Sequence, residues 1–359
     1  MKKHLKVHRI LVALLTILVL YVGICYYTVL TKREETFKIN DTSTVILSLE
    51  DKFNKNDYWA GTFNLLWNNL HDELDLKKVN KTSSKNATII ANLEKQTFNK
   101  KYISSSSYYN KHGYATESLK QAIKKDIKKK FNTTSNVLDE FDWNGNDYFI
   151  YSMLYKEFKF KYKFEELDKD KFKNVDNVEY FGIRNSSSSK LRDQVIVLYY
   201  QDINNFAIKL LTTSDEEVIL ARGAQGSDFL SVYDNIQKLA ESFEGNKGFS
   251  KDDVLKIPVI NFHNHETIKE LDGIELVTKV DNLTINKVVR DTIFKLDATG
   301  GKLKDEIAGG AFATSIDKNV RLFYFNNEFY LFLKEKNKDL PYFAMNISDI
   351  SKFQDITNN

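Results

Sequence analysis

The sequence predicts an α+β fold carried behind one membrane-spanning helix. Three observations predict it. An uncharged apolar run, Ile10 to Leu30, stands near the N-terminus. Beyond it, helical periodicity comes first and strand alternation dominates later, the pattern of helices packed on large, mostly antiparallel sheets. The chain also holds 25 Phe and 19 Tyr, enough aromatic surface for a large core and too much for a disordered chain.

The anchor comes first in order. Its 21 residues would rise roughly 31 Å as a helix, about one hydrocarbon core. Lys2, Lys3, Lys6 and Arg9 precede it with no acid among them, whereas Glu34 and Glu35 offset Lys32 and Arg33. The positive-inside rule then puts residues 1–9 in the cytoplasm and everything after residue 30 outside. A cleaved signal peptide would need a shorter apolar core and a small-x-small site, but Tyr26 and Tyr27 stand where small residues are wanted. The expected layout is a cytoplasmic tail at 1–9, an uncleaved anchor at 10–30, a juxtamembrane linker at 31–45 and an extracytoplasmic domain at 46–359.

Composition narrows the class further. The single cysteine, Cys25, lies in the anchor, so the outer domain has no disulfide to form. A bacterial cell surface suits that better than a secretory pathway. The net charge of +3 is near balance. The densest basic stretch, Lys124 to Lys130, reads as a solvated helix face beside an anionic membrane. It has no interleaved aromatics, so nucleic acid is not an expected partner.

The elements follow in sequence. Tyr58 to Leu74 reads as an amphipathic helix, because Trp59, Phe63, Leu66, Trp67, Leu70 and Leu74 recur at three- and four-residue spacing. Residues 76–115 are polar and weakly patterned. Residues 116–131 and Asp228 to Phe243 read as helices. Strands are expected at YFIYSMLY from Tyr148, Phe158–Phe164, QVIVLYY, FAIKLL, EVILAR, Lys256–Phe262, 284–296 and 321–333.

Motifs for chemistry are missing: there is no GxGxxG, P-loop, GxSxG or HExxH. His263 and His265 could share one strand face as metal ligands, but only two of about four ligands would be local. Glu165-Glu166 and Glu216-Glu217 are adjacent, and on a strand adjacent side chains point to opposite faces. The sequence therefore predicts no enzyme, no metal and no cofactor.

An ordered series of segments carries a family resemblance. Thr292 to Asp297 reads as a strand and Ala298-Thr299-Gly300 as a hinge, with Lys302 to Ile316 as a loop. Phe325 to Leu333, which includes Glu328, then returns as a strand, and Pro341 to Met345 closes the core. Upstream stand Ile257 to Phe262, the pair Val197–Tyr200 and Phe206–Leu210, the aromatic stretch Tyr148–Phe164, and the helix Trp59–Leu74. This order resembles that of the serpins, the suicide protease inhibitors. A Ser-Pro-x-Ser helix, usual in that family, is not found, and Glu328 stands where the family has Pro.

The resemblance implies a reactive loop beginning at Gly300. At the family's spacing the scissile bond would fall at Thr314-Ser315. A serpin traps a protease by inserting the cut loop as a new strand into a sheet. On insertion Gly301, Leu303, Asp305, Ile307 and Gly309 would turn inward, while Lys302, Lys304 and Glu306 would stay in water. Leu303 is bulky, and an unpaired Asp305 is costly to bury. The sequence therefore predicts a weak or non-inhibitory relative that exposes its loop for protein binding. The alternatives are a functional serine or cysteine protease inhibitor, or an unrelated α+β surface module. The expected partners are the membrane, through residues 10–30, and an extracellular protease or other surface protein.

Overall fold

The computed structural model describes residues 44–80, 84–271, 273–279, 282–285, 288–301, 320–354 and 356. The anchor at 10–30 and the loop from Lys302 to Ile316 lie outside the described residues. None of the described helices is long and apolar enough to cross a membrane.

The chain opens with β1 (Val45–Ile46), β2 (Tyr58–Ala60), α1 (Thr62–Leu74), β3 (Lys78–Asn80) and α2 (Ser84–Glu94). It continues through β4 (Tyr108–Thr116), α3 (Glu117–Phe131), β5 (Asn144–Leu154) and β6 (Phe158–Lys159). Next come β7 (Glu165–Phe172), β8 (Val175–Ile183), α4 (Ser189–Arg192), β9 (Val195–Asp202), β10 (Asn205–Leu211), β11 (Glu216–Arg222) and α5 (Phe229–Ser242). The last third holds β12 (Val254–Pro258), β13 (Ile260–Thr267), β14 (Glu275–Val277), β15 (Asn282–Thr284), β16 (Val289–Leu296) and β17 (Gly300–Gly301). It ends with β18 (Leu322–Tyr324), β19 (Phe329–Glu335) and β20 (Phe343–Ile347). The fold is α+β.

A seven-stranded sheet, ordered β1-β2-β20-β19-β11-β10-β9, forms the centre. All seven residues of β11 are buried, as expected for a strand covered on both faces. Phe332 and Leu333 show how the layers form, since neighbouring residues on a strand face opposite ways. Phe332 meets Phe229 and Tyr233 of α5. Leu333 pairs with Phe343, and the Phe343 ring lies tilted, 5.0 Å from that of Phe294 of β16. Helix α5 thus covers one face and the β13–β16 pair covers the other. A second sheet, β18-β12-β8-β7, packs alongside through Phe323 against Tyr200 and Phe206.

A smaller core sits apart. Ile123 and Ile127 of α3 bury against Ala115, Phe149 and Tyr151 of the paired strands β4 and β5 and against Leu138 of the turn Val137–Glu140. The helix is well terminated. Thr116 accepts a hydrogen bond from the Leu119 N–H, Lys128 to Lys130 complement the C-terminal dipole, and Asn132 takes the left-handed cap at φ 53°.

Several expected elements are corrected. Tyr58, Trp59 and Ala60 form a strand between β1 and β20, so the first helix begins only at Thr62. The stretch 76–115 contains β3, α2 and β4. Residues 256–262 divide at Val259, and 321–333 divide into β18 and β19, which enter different sheets. The strand expected at 284–296 spans only Val289–Leu296. Each long apolar run crosses from one sheet to another, and its alternation breaks at the crossing.

Candidate functional site

The predicted hinge is an ordered turn at the end of β16. Asp297 and Gly300 exchange backbone hydrogen bonds at 3.0 and 3.2 Å. The Asp297 carboxylate accepts from the Thr299 N–H at 2.8 Å and from its hydroxyl at 2.6 Å. This side-chain-mediated turn is the reason for Asp-x-Thr-Gly at this place. Gly300 lies at φ +131°, where a Cβ would stand 2.5 Å from the Phe158 carbonyl oxygen. No other residue fits there without strain.

The turn reverses the chain, so Gly300 and Gly301 run back antiparallel to β6. Gly300 is therefore bridged on both sides, to Asp297 and to Lys159. Strands β5 and β16 both lead up to this point, β5 through β6 and β16 through the turn. Among the described residues each has one ladder partner, β4 and β13 respectively, and no ladder joins β5 to β16. Gly300 and Gly301 thus stand at the head of the slot between β5 and β16, two strands with no second ladder partner among the described residues. A Cβ at Gly301 would meet the ring of buried Phe158 at 3.0 Å, so Gly301 faces the core.

Beneath β16 the core is polar. The Tyr58 hydroxyl donates to Asn264 at 2.8 Å and lies 3.2 Å from the Thr292 hydroxyl. Burial pushes the Tyr58 hydroxyl well above its ordinary pKa. Arg290 donates to the Ala60 carbonyl at 3.1 Å and lies over the Tyr58 ring. Its second terminal nitrogen is buried and has no hydrogen-bond partner among the described residues. Burial also lowers the guanidinium pKa, the sign of a charge only partly compensated.

The next described residues after Gly301 are pinned as well. Arg321 pairs with Asp253 at 2.6 Å and donates to the carbonyls of Asn246 and Gly248. Immediately beyond, β18 joins β12 in parallel. The 18 residues from 302 to 319 therefore run between two fixed points.

Of the predicted loop residues, Gly300 and Gly301 are described and both are buried. Leu303, Asp305, Ile307, Thr314 and Ser315 lie outside the described residues. His263 and His265 do share a strand face, but both turn to Asp291, at 2.7 and 3.1 Å, and His265 also meets Glu140 at 3.0 Å. Among the described residues no group of three or more His, Cys, Asp or Glu side chains could hold a metal ion. Arg290 and Thr292 were not singled out from sequence. An arginine near the start of a strand whose later residues alternate is the available signal.

No protein-family model and no curated protein sequence matches the chain. Solved structures do. Human kallistatin is similar at 13% identity and TM-score 0.49, over 82% of this chain and 92% of that one. Serpin48 of the insect Tenebrio molitor is similar at 14% identity and TM-score 0.39, over 68% and 75%. Tengpin, a thermophilic serpin, is similar at 12% and 0.42, over 68% and 73%. At these identities the likeness is one of chain path and says nothing of activity.

Proposed function

We propose that the domain is a serpin-like protease inhibitor, held outside the membrane by residues 10–30, whose segment 302–319 is cut by a protease and then adds as a strand between β5 and β16. The observation that carries this reading is the double bridging of Gly300, which starts the chain down the slot. Continuing the Asp297–Gly300 register pairs Leu303 with Phe294, Asp305 with Thr292 and Ile307 with Arg290. Leu303 would then bury against an apolar ring. Asp305 would enter beside the Thr292 hydroxyl and the half-satisfied guanidinium of Arg290. A charge-assisted bond there would remove the cost that the sequence alone assigns to burying Asp305.

Open strand edges supply backbone hydrogen bonds on both sides, which is strand addition at its most favourable. The test is incubation of the full chain with trypsin-like and subtilisin-like proteases, followed by denaturing electrophoresis. A band at the summed mass of chain and protease is expected. Cleavage between residues 302 and 319 without such a band, for every protease tried, would overturn trapping.

A second reading keeps the fold without trapping. It is favoured by the Glu140–His265 pair, which ties the turn Val137–Glu140 to β13 and would resist parting of the two halves. In that case the loop is only a docking segment, and the same gel shows plain cleavage.

A further inference from the structure

The C-terminal half of the basic stretch Lys124–Lys130 stands at the hinge end of the fold. Phe131 stacks on Tyr155 at 5.6 Å, and Lys130 donates to the carbonyls of Ser105 and Tyr108 at 2.7 and 2.6 Å. Tyr155 directly follows β5, and shortly after it Phe158 and Lys159 pair with Gly301 and Gly300. The turn between β19 and β20 joins the same end. There Lys338 donates to the Lys101 carbonyl at 2.8 Å, and the Lys336 N–H donates to the Asp215 carbonyl at 2.6 Å.

Lys101, Lys128, Lys129, Lys159 and Lys336 are exposed at this end, and Lys338 is half-buried. Among the described residues none of them pairs with a carboxylate. The exposed acids beside them are Asp215, Asp339 and Glu157, and the Tyr155 hydroxyl already donates to Glu157 at 2.5 Å. The segment 302–319 leaves the balance unchanged, since Lys302, Lys304 and Lys318 are matched by Asp305, Glu306 and Asp317.

A rim of one sign raises the local concentration of oppositely charged partners and speeds their encounter. We propose that this lysine rim selects a protease with an acidic surface around its active site and steers it onto the segment 302–319. The proposal rests on that segment being the one a protease cuts, and not on its insertion afterwards. An anionic membrane would attract the same lysines. The protease is favoured because the rim adjoins the strand pairing from which the segment departs.

The experiment cuts the full chain with an anionic and a cationic trypsin, two proteases of one specificity and opposite net charge. Cutting between residues 302 and 319 is followed by mass spectrometry, and each rate is divided by that protease's rate on a short peptide substrate. At low salt the anionic trypsin should be about tenfold faster, and the gap should close as salt is raised to about 0.5 M. Lys128→Gln with Lys129→Gln, two solvent-facing changes, should narrow the gap. Lys52→Gln with Lys55→Gln removes the same charge elsewhere on the surface and should leave it unchanged. Equal rates at low salt would overturn the proposal, as would equal narrowing by both double variants. Equal rates together with sedimentation of the chain on anionic vesicles would assign the lysines to a membrane instead. No cut at all between residues 302 and 319 would overturn the underlying reading, and this proposal with it.

Discussion

Glu216 and Glu335 stand directly opposite each other on β11 and β19, and both reach the ammonium of Lys156, at 2.5 and 2.6 Å. All three side chains are nearly buried. Tyr342 donates to the second oxygen of Glu216, and Ser104 donates its N–H and hydroxyl to Glu335. Lys156 lies between β5 and β6, so this cluster fixes the chain just before it meets the hinge.

Lys156→Met should therefore be strongly destabilising. It leaves two adjacent carboxylates buried without a counter-charge, a change that typically costs about 3–5 kcal/mol. Urea unfolding of the single variant measures the loss. Adding Glu216→Gln and Glu335→Gln to it should restore most of the stability, because no uncompensated charge then remains. A single variant within about 0.5 kcal/mol of the parent would show that the cluster is not buried in solution.

The same cluster sets an acid limit. Burial pushes the Glu335 carboxyl up, but Lys156 and Ser104 outweigh it and hold it below the usual value of 4.5. Glu217 is held below 4.5 likewise, with Lys209 and Lys334 outweighing burial. Groups depressed on folding stabilise above their unfolded pKa, and that stability is lost as pH falls below about 4.5. Asp51, Asp57 and Glu266 are raised by burial, so they cost stability at neutral pH and regain it on mild acidification. The expected stability maximum lies at about pH 5–6, followed by a fall below about pH 4. In Lys156→Met the contribution of Glu335 to that fall should disappear.

Gly300→Ala should strain the hinge. The added Cβ meets backbone atoms of Phe158 and Lys159 that cannot give way, and φ +131° is unfavourable for any side chain. The expected cost is about 1–3 kcal/mol. Limited proteolysis should show faster cutting next to Gly301, because its pairing with Phe158 loosens. A proteolysis rate equal to the parent's would mean that the turn does not hold Gly300 between its neighbours.

Asp305 should matter only after the loop is cut. Arg290→Met removes the donor to the Ala60 carbonyl and a cation that offsets Glu266, so the intact chain should lose some stability as well. The cut chain should lose part of its gain in melting temperature, and Asp305→Ala should do the same. The two losses should be non-additive, as expected of partners in one contact. Additive losses would place Asp305 elsewhere.

Much of the fold was legible where burial is one-sided. Phe63, Leu66, Trp67 and Leu70 gave α1 its helical period, and Glu117 to Phe131 gave α3 both its caps and its apolar stripe. The misses have physical causes. Tyr58-Trp59-Ala60 is bulky enough for either state, and pairing with β20 decided for strand. Tyr108–Thr116 alternates poorly, because Asn110 and His112 bond to neighbours instead of burying and Lys111 is exposed. At the site, Asp297 to Gly301 announced a turn, since that spacing of Asp, Thr and Gly serves little else. The role of Arg290 was hidden, because it depends on which strand edge lies open, and local sequence does not record pairing partners.

The most direct measurement is thermal melting of the full chain before and after a single cut between residues 302 and 319. Strand addition between β5 and β16 predicts a gain of tens of degrees in the cut chain. A melting temperature unchanged on cutting would contradict it and leave the loop a docking segment.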